Sequence, residues 1–419
     1  MSDKTKIQDT QYDAAIVGGG VIGLSLALGL AKNNAWKIAL VEKGLKPVLS
    51  IPAPTEPGIR ATAMGLPSVE LLESLGIWQA LTESQRCAYK AMYVWDENSQ
   101  GELFFTADDY AVNELGFIVD HNALHECLSV VVDGQGLIDQ FYETEIKSLQ
   151  SSDGCVQLTI SSSESLVKNT SEQTASKQTI SKRIKANWVF AADGSDSSVR
   201  QLAGFNVSQH DYHQLGLVCK IQTQFPHQQT AWQCFKTSGP LALLPLSNGE
   251  CSIVWSLGTT DARAMQQLSN DDFAARIKAG IQSRLGQVEI SSDRFAFPLR
   301  SIRSSQYVKE RVVLLGDAAH SVHPMSGQGA NLGFMDVSVL LDELDGLSAD
   351  DLLIPRRLRA YERKQKLNNQ RLDTFQTNLD RLFGYHAPLI NSIRGLGLGL
   401  INRQGALKSF FAQQVLGKS

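Results

Sequence analysis

Nowhere in the sequence do apolar residues run unbroken for the ~20 positions that a membrane-spanning helix needs. The start of the chain, Met1 to Asp13, is polar and lacks the apolar stretch of a secretory signal. Membrane insertion and export are therefore not expected, and any membrane contact must be peripheral. The six cysteines, Cys87, Cys127, Cys155, Cys219, Cys234 and Cys251, stand singly, without the close pairs of zinc sites or thiol redox motifs. They read as reduced, mostly buried thiols of a cytoplasmic protein, with no metal site expected. Positive charge is not in surplus either. The net charge of −4 disfavours general nucleic-acid binding.

What is present is an ordinary globular composition, 43% hydrophobic and 20% charged, spread over 419 residues. Single cores stop growing at roughly 250–300 residues, so two lobes are expected. The charge balance conceals an asymmetry. From Asp351 to Ser419 twelve Lys and Arg face four acids, which makes the end of the chain basic and the body acidic. Apolar Phe375, Leu379, Leu382 and Phe383 recur there at helical spacing, followed by Leu396, Leu398, Leu400 and Ile401. Two readings stay open: a peripheral contact with a membrane or a membrane-bound partner, and packing of the last helices onto the body.

Three strand-to-glycine junctions organise the body. Between Tyr12 and Glu42, the apolar runs Ala14–Val17 and Ile38–Val41 flank a glycine turn and a helix, a βαβ unit of about 30 residues. Trp188–Ala192 precedes Asp193-Gly194, and Val312–Leu315 precedes Gly316-Asp317. Parallel sheets place such junctions along one edge, where distant segments converge on a ligand. Alternating sequence at Leu215–Gln222 and Cys251–Ser256 predicts a mostly antiparallel second unit. The polar stretch Ser161–Lys182 reads as a solvated loop.

The first junction is Gly18-Gly19-Gly20-Val21-Ile22-Gly23, a GxGxxG sequence that opens a helix. Glycine lets the backbone approach a pyrophosphate, and the amides of the helix N-terminus attract its charge. Such a turn also serves purely structural ends. Glu42, about 20 residues on, adds a carboxylate suited to ribose hydroxyls and favours dinucleotide binding. At the second junction, Asp193 to Arg200 fits D-G-x-x-S-x-x-R, which is a helix N-cap and turn or part of the same ligand edge. At the third, Asp317 suits the sugar-like chain of a flavin nucleotide, and the helix beginning at Gly327–Gly329 would face the flavin edge that gains charge on reduction.

These motifs, in this order and spacing, resemble the class A flavoprotein monooxygenases with the para-hydroxybenzoate hydroxylase fold. The Gly239–Leu246 and Ile253–Ser256 segments and the run Gly316–Asp336 narrow the resemblance to the ubiquinone-biosynthesis hydroxylases. It implies an α/β fold: a Rossmann-like FAD-binding domain (1–80, 112–203, 297–345), an inserted, mostly antiparallel β substrate domain (81–111, 204–296) and a helical C-terminal region (346–419). It implies that Gly18, Gly20, Val21, Ile22, Gly23, Glu42 and Lys43 hold the ADP half of FAD, with Arg60 and His121 beside the cofactor. Asp193 and Arg200 match a motif tied to FAD and the nicotinamide donor. Gly316, Asp317, Pro324, Gly327, Gln328, Gly329, Ala330 and Asn331 match the flavin segment. Three positions depart from the family pattern: Asp120-His121 stand where Glu-Asn is usual, Ser326 where alanine is common, and Ser161–Lys182 is longer than the usual connection.

The implied reaction is hydroxylation of a lipophilic prenylated phenol with O2, inside or beside a ubiquinone-biosynthesis complex. With one strand-linked GxGxxG, NAD(P)H is expected to visit, reduce the flavin and leave; the late Gly395–Gly399 reads as a helix breaker. No covalent catalyst is evident, and His320, His323 and His121 are the titratable candidates for easing phenol deprotonation. A prenyl-chain reductase or oxidase on the same fold, and a non-catalytic flavoprotein scaffold, remain as alternatives. The expected location is cytoplasmic, on the inner face of the membrane if the tail binds lipid.

Overall fold

The computed structural model describes residues 10–47, 58–99, 101–152, 154–165, 177–321 and 329–384, and of residues 163–165, 177–179, 373 and 375–384 the backbone only. A parallel sheet is built on the strand Thr10–Val17, whose inner half Ala14–Val17 is buried on both faces. Ile38–Val41 and then Ile138–Phe141 lie on one side of it. Lys177–Ala191 and then Val312–Leu314 lie on the other. The three strand-to-glycine junctions therefore sit on adjacent strands. The helix Val21–Asn34 makes the first crossover. A Cβ on its Gly29 would stand 2.4 Å from Leu341, so the glycine lets the helix Gly329–Leu344 press against its backbone. The indoles of Trp36 and Trp188 donate to the carbonyls of Leu347 and Ala349, each at 2.9 Å, and tie the turn after that helix to the sheet.

The second large sheet has nine strands and is antiparallel except where Ala91–Asp96 pairs with Thr230–Phe235. One face carries Leu217, Cys219, Leu243, Ile253 and Trp255 beneath the helices Thr259–Gln267 and Asn270–Gly280. A three-stranded sheet of Ala61–Met64, Gly116–Asp120 and Arg86–Tyr89 lies between the two, and its Ala61, Ala63 and Ile118 pack with Val94 and Leu103 of the large sheet.

Half of the expected loop at Ser161–Lys182, its two described ends, is strand. Cys155–Ser165 pairs antiparallel with Lys177–Ala191, and the rest of the stretch lies outside the described residues. The two strands extend the sheet, pairing half of their backbone groups with each other and turning the rest to water or to Thr144–Ser152, so a polar sequence can form them without a core of its own. The helical spacing of Phe375, Leu379, Leu382 and Phe383 falls within the helix Ile354–Gly384, while Gly395–Gly399 lies outside the described residues. All six cysteines are free, and Cys87, Cys219, Cys234 and Cys251 are buried. Among the described residues no helix is long and apolar enough to cross a membrane.

Candidate cofactor site

The glycine turn divides its work among its residues. Gly18 has φ +109°, and a Cβ there would stand 2.2 Å from the Ala192 carbonyl oxygen, so the first and second junctions touch at this point. A Cβ on Gly23 would stand 1.9 Å from the Gly18 oxygen, which closes the turn onto the helix. Gly20 differs: it is exposed, and a Cβ there would meet nothing within 4 Å. Gly18 and Gly23 are thus required by the fold, and Gly19 is crowded by Glu42, whose Cβ would lie 2.9 Å from one built there. The room beside Gly20, at the N-terminus of Val21–Asn34, fits a phosphate group. Val21 is buried, while Ile22 turns toward the third junction, where its side chain lies 2.7 Å from a Cβ built on Gly333 and 3.7 Å from one built on Gly316.

Glu42 caps this turn from the neighbouring strand. Its carboxylate accepts from the Gly19 amide at 2.5 Å and the Gly44 amide at 2.6 Å. From the other side His125 donates Nε2–H to the Gly19 carbonyl at 2.6 Å. His125 was not among the residues expected here, although it stands one helical turn from His121, a spacing that puts both on one face. Lys43 is exposed at the rim.

The second junction is an anchor. Asp193 Oδ2 accepts from the Ser198 amide at 2.7 Å and the Val199 amide at 3.2 Å, capping the short helix Ser198–Leu202. Its Oδ1 is buried without a partner among the described residues, an acceptor that a ligand hydroxyl would satisfy. Arg200 points inward. Its side chain is buried and donates to Ser195 O at 2.7 Å and Ala318 O at 3.0 Å, so it joins the second junction to the third.

At the third junction Gly316, at φ +56°, gives its amide to Asp336 at 2.7 Å, and the same carboxylate oxygen takes the His320 ring at 2.7 Å. Burial alone would lower the His320 pKa, but the Asp336 charge and hydrogen bond, with Asp317 beyond, outweigh it and hold the ring above its ordinary value. His320 is 4% exposed and engaged in this pair, which sets it apart from a freely accessible acid or base. Asp317 is open to solvent although protein atoms crowd around it, as on the floor of a cleft. That crowding pushes its pKa up, opposed by His320 and Arg60. Arg60, exposed on the approach to this floor, feels the Asp317 charge in return.

His121 lies beside Arg60, its amide bonded to Arg60 O at 3.0 Å and its ring to Thr62 Oγ1 at 3.1 Å. Burial, with Arg60 and His125, pushes its pKa down to about 3, so the ring is neutral at physiological pH. Asp120 caps the helix His121–Asp133 through the Asn122 and Ala123 amides and also takes the Gly58 amide at 2.6 Å. That is a local structural reason for an aspartate at this position. Asn331 binds the Gly65 amide, Ser68 Oγ and Ala63 O, which docks the helix Gly329–Leu344 on the strand that follows Arg60. Gly329 and Ala330 are half-buried at the start of that helix. His323, Pro324, Gly327 and Gln328 lie outside the described residues.

Three adjacent strand ends, one exposed glycine at a helix N-terminus and a solvent-facing acid beside an arginine make this a Rossmann-type nucleotide site of the flavoprotein kind. A sequence profile described as "FAD binding domain" matches residues 11–371. The chain belongs to this family of FAD-dependent monooxygenases, and FAD is its cofactor. It is 29% identical over 408 residues to the 3-demethoxyubiquinol 3-hydroxylase of Escherichia coli (strain K12), covering 97% of this chain and 98% of that one. It is 27% identical over 447 residues to the mitochondrial ubiquinone biosynthesis monooxygenase COQ6 of Caenorhabditis elegans, covering 95% and 94%. In fold it is similar to the p-nitrophenol 4-monooxygenase PnpA of Pseudomonas putida DLL-E4, with a TM-score of 0.75 at 15% identity over 98% of this chain and 100% of that one.

Proposed function

We propose that the protein hydroxylates the aromatic ring of a prenylated phenol in ubiquinone biosynthesis, with NAD(P)H as transient donor and O2 as co-substrate. The observation that carries this is the full-length similarity to a 3-demethoxyubiquinol 3-hydroxylase and to COQ6. When bound, FAD supplies acceptance of the hydride and activation of O2.

The protein's own residues bind and orient. The Gly18–Gly23 turn takes the pyrophosphate, with Gly20 leaving the room and the helix dipole the attraction. Glu42, released from one of its two amides, takes the ribose hydroxyls. Asp317 and the free oxygen of Asp193 take hydroxyls of the sugar-like chain, and Arg60 balances the charge of Asp317. Arg200, Asp336 and His320 hold the turn that presents Asp317. Neutral His121 keeps positive charge from accumulating beside Arg60. Residues 81–111 and 204–296 form the substrate-facing unit. The basic region after Asp351 draws the protein to the inner membrane surface or to a membrane-bound assembly of the pathway, where such a substrate resides.

The test measures O2 uptake and NAD(P)H oxidation against product, with a prenylated phenol as substrate. Oxygen consumption coupled to a hydroxylated ring is expected. Reduction of the prenyl chain, or oxidation without insertion of oxygen, would overturn the proposal in favour of another flavin oxidoreductase. Absence of any flavin reduction would favour a scaffold.

A further inference from the structure

The helix Ile354–Gly384 turns a buried stripe to the body of the protein, and the stripe changes character along its length. Ile354 and Leu358 open it, and Tyr361, Gln365 and Asn369 follow at the same helical spacing, all of them buried. Buried polar side chains need partners. Two of these find them in the segment that feeds the third junction. Asn369 donates to the Tyr307 hydroxyl at 3.0 Å, and the Tyr307 ring lies against that of His320, with centroids 5.5 Å apart.

Tyr361 enters where a strand ladder is left open. Val308–Lys309 runs antiparallel to Val312–Leu314, and the Leu314 amide donates to the Tyr307 carbonyl at 2.8 Å. In a regular antiparallel pair the Tyr307 amide would answer by donating to the Leu314 carbonyl. Instead two consecutive helix residues take up these two groups: the Tyr307 amide donates to Glu362 Oε1, and the Tyr361 hydroxyl donates to the Leu314 carbonyl, each at 2.9 Å. Leu314 stands two residues before Gly316 and three before Asp317. Asp336, which holds the Gly316 amide and the His320 ring, lies beside the same phenol. Burial, and then the Asp336 charge, raise the Tyr361 pKa well above its ordinary value, so the hydroxyl keeps its proton and remains a donor.

We infer that Tyr361 is a positioning residue for the cofactor: by holding the Leu314 carbonyl beside Asp336, its hydroxyl sets the end of the strand from which Asp317 is presented to FAD. The first turns of the C-terminal helix thereby belong to the cofactor site. The inference needs FAD as the cofactor and is independent of which phenol is hydroxylated. A phenylalanine at 361 would fill the same space but leave the Leu314 carbonyl buried without a donor, so that the strand end shifts to find one.

Two measurements on the full chain test it, with Tyr361→Phe set beside Leu358→Val, which trims the same buried stripe without removing a hydrogen-bonding group. In fluorescence titrations of the apoprotein with FAD, Tyr361→Phe is expected to raise the dissociation constant about tenfold. Leu358→Val should lower the melting temperature and leave the constant unchanged. In hydrogen exchange followed by mass spectrometry, peptides spanning Leu314–His320 are expected to exchange faster in Tyr361→Phe and at the wild-type rate in Leu358→Val. An unchanged dissociation constant or unchanged exchange in Tyr361→Phe overturns the inference. An equal rise of the constant in both variants overturns it too, since the phenol would then act only by packing. Neither measurement uses substrate, so the result is separate from that of the hydroxylation assay.

Discussion

One carboxylate oxygen of Asp336 receives both the ring of His320 and the amide of Gly316, each at 2.7 Å, in a place where Asp336 is fully buried. The pair holds the turn that carries Asp317. Removing one partner of a buried ion pair leaves the other uncompensated and costs about 3–5 kcal/mol. His320→Gln should therefore lower the unfolding free energy by about that much, seen in denaturant titrations, and should release FAD. The His320 pKa is raised above its ordinary 6.5, so the stability it contributes is full below that pH and is lost as pH rises through the raised value. Wild-type protein should lose stability relative to His320→Gln as pH increases from 6.5. Parallel stability curves for the two would refute a charged pair.

Gly18 and Gly20 separate the needs of the fold from those of the ligand. Gly18→Ala forces a side chain into a positive φ and against Ala192 O, and should destabilise by at least about 1–3 kcal/mol. Gly20→Ala meets ordinary φ −73° and open space, so its melting temperature without cofactor should match wild type while FAD affinity falls. Equal FAD affinity for Gly20→Ala, by fluorescence titration, would place the pyrophosphate elsewhere.

Asp317→Ala should leave the fold intact, since the side chain faces solvent. Its loss removes charge-assisted hydrogen bonds to a hydroxyl, worth about 1.5–3 kcal/mol, or about 10- to 100-fold in the dissociation constant of FAD. Unchanged FAD content after gel filtration would show that Asp317 does not touch the cofactor.

The basic C-terminal region should bind anionic vesicles and release them as salt rises, because each basic residue near such a surface contributes ~1 kcal/mol and screening removes it. Co-sedimentation of the full chain with anionic and neutral vesicles, beside a version ending at Leu389, checks this. Equal binding to the two kinds of vesicle would assign the region to packing, and equal binding by the shorter version would place the contact before Leu389.

The junctions themselves were legible because buried apolar runs ending in glycine are local signals. Gly18, Glu42 and Asp317 could be found that way. Arg200 could not be placed: the partner that makes it a brace, Ala318, lies 118 residues further on. His125 and Asp120 were hidden for a similar reason, since their bonds run to Gly19 and Gly58. The register of the nine-stranded sheet, which sets Val94 beside Gln233, is contained in no window of sequence. The ribbon at Ser161–Lys182 misled because its strands gain backbone pairing without an apolar face.

The contact of Ile22 with both Gly316 and Gly333 has a consequence for how the protein comes into being. The cofactor site closes only when segments almost 300 positions apart along the chain have met. Such non-local pairing carries a loop-closure cost that slows folding. FAD can bind only a chain in which these segments have met, so flavin supply favours the finished fold over the open chain by mass action.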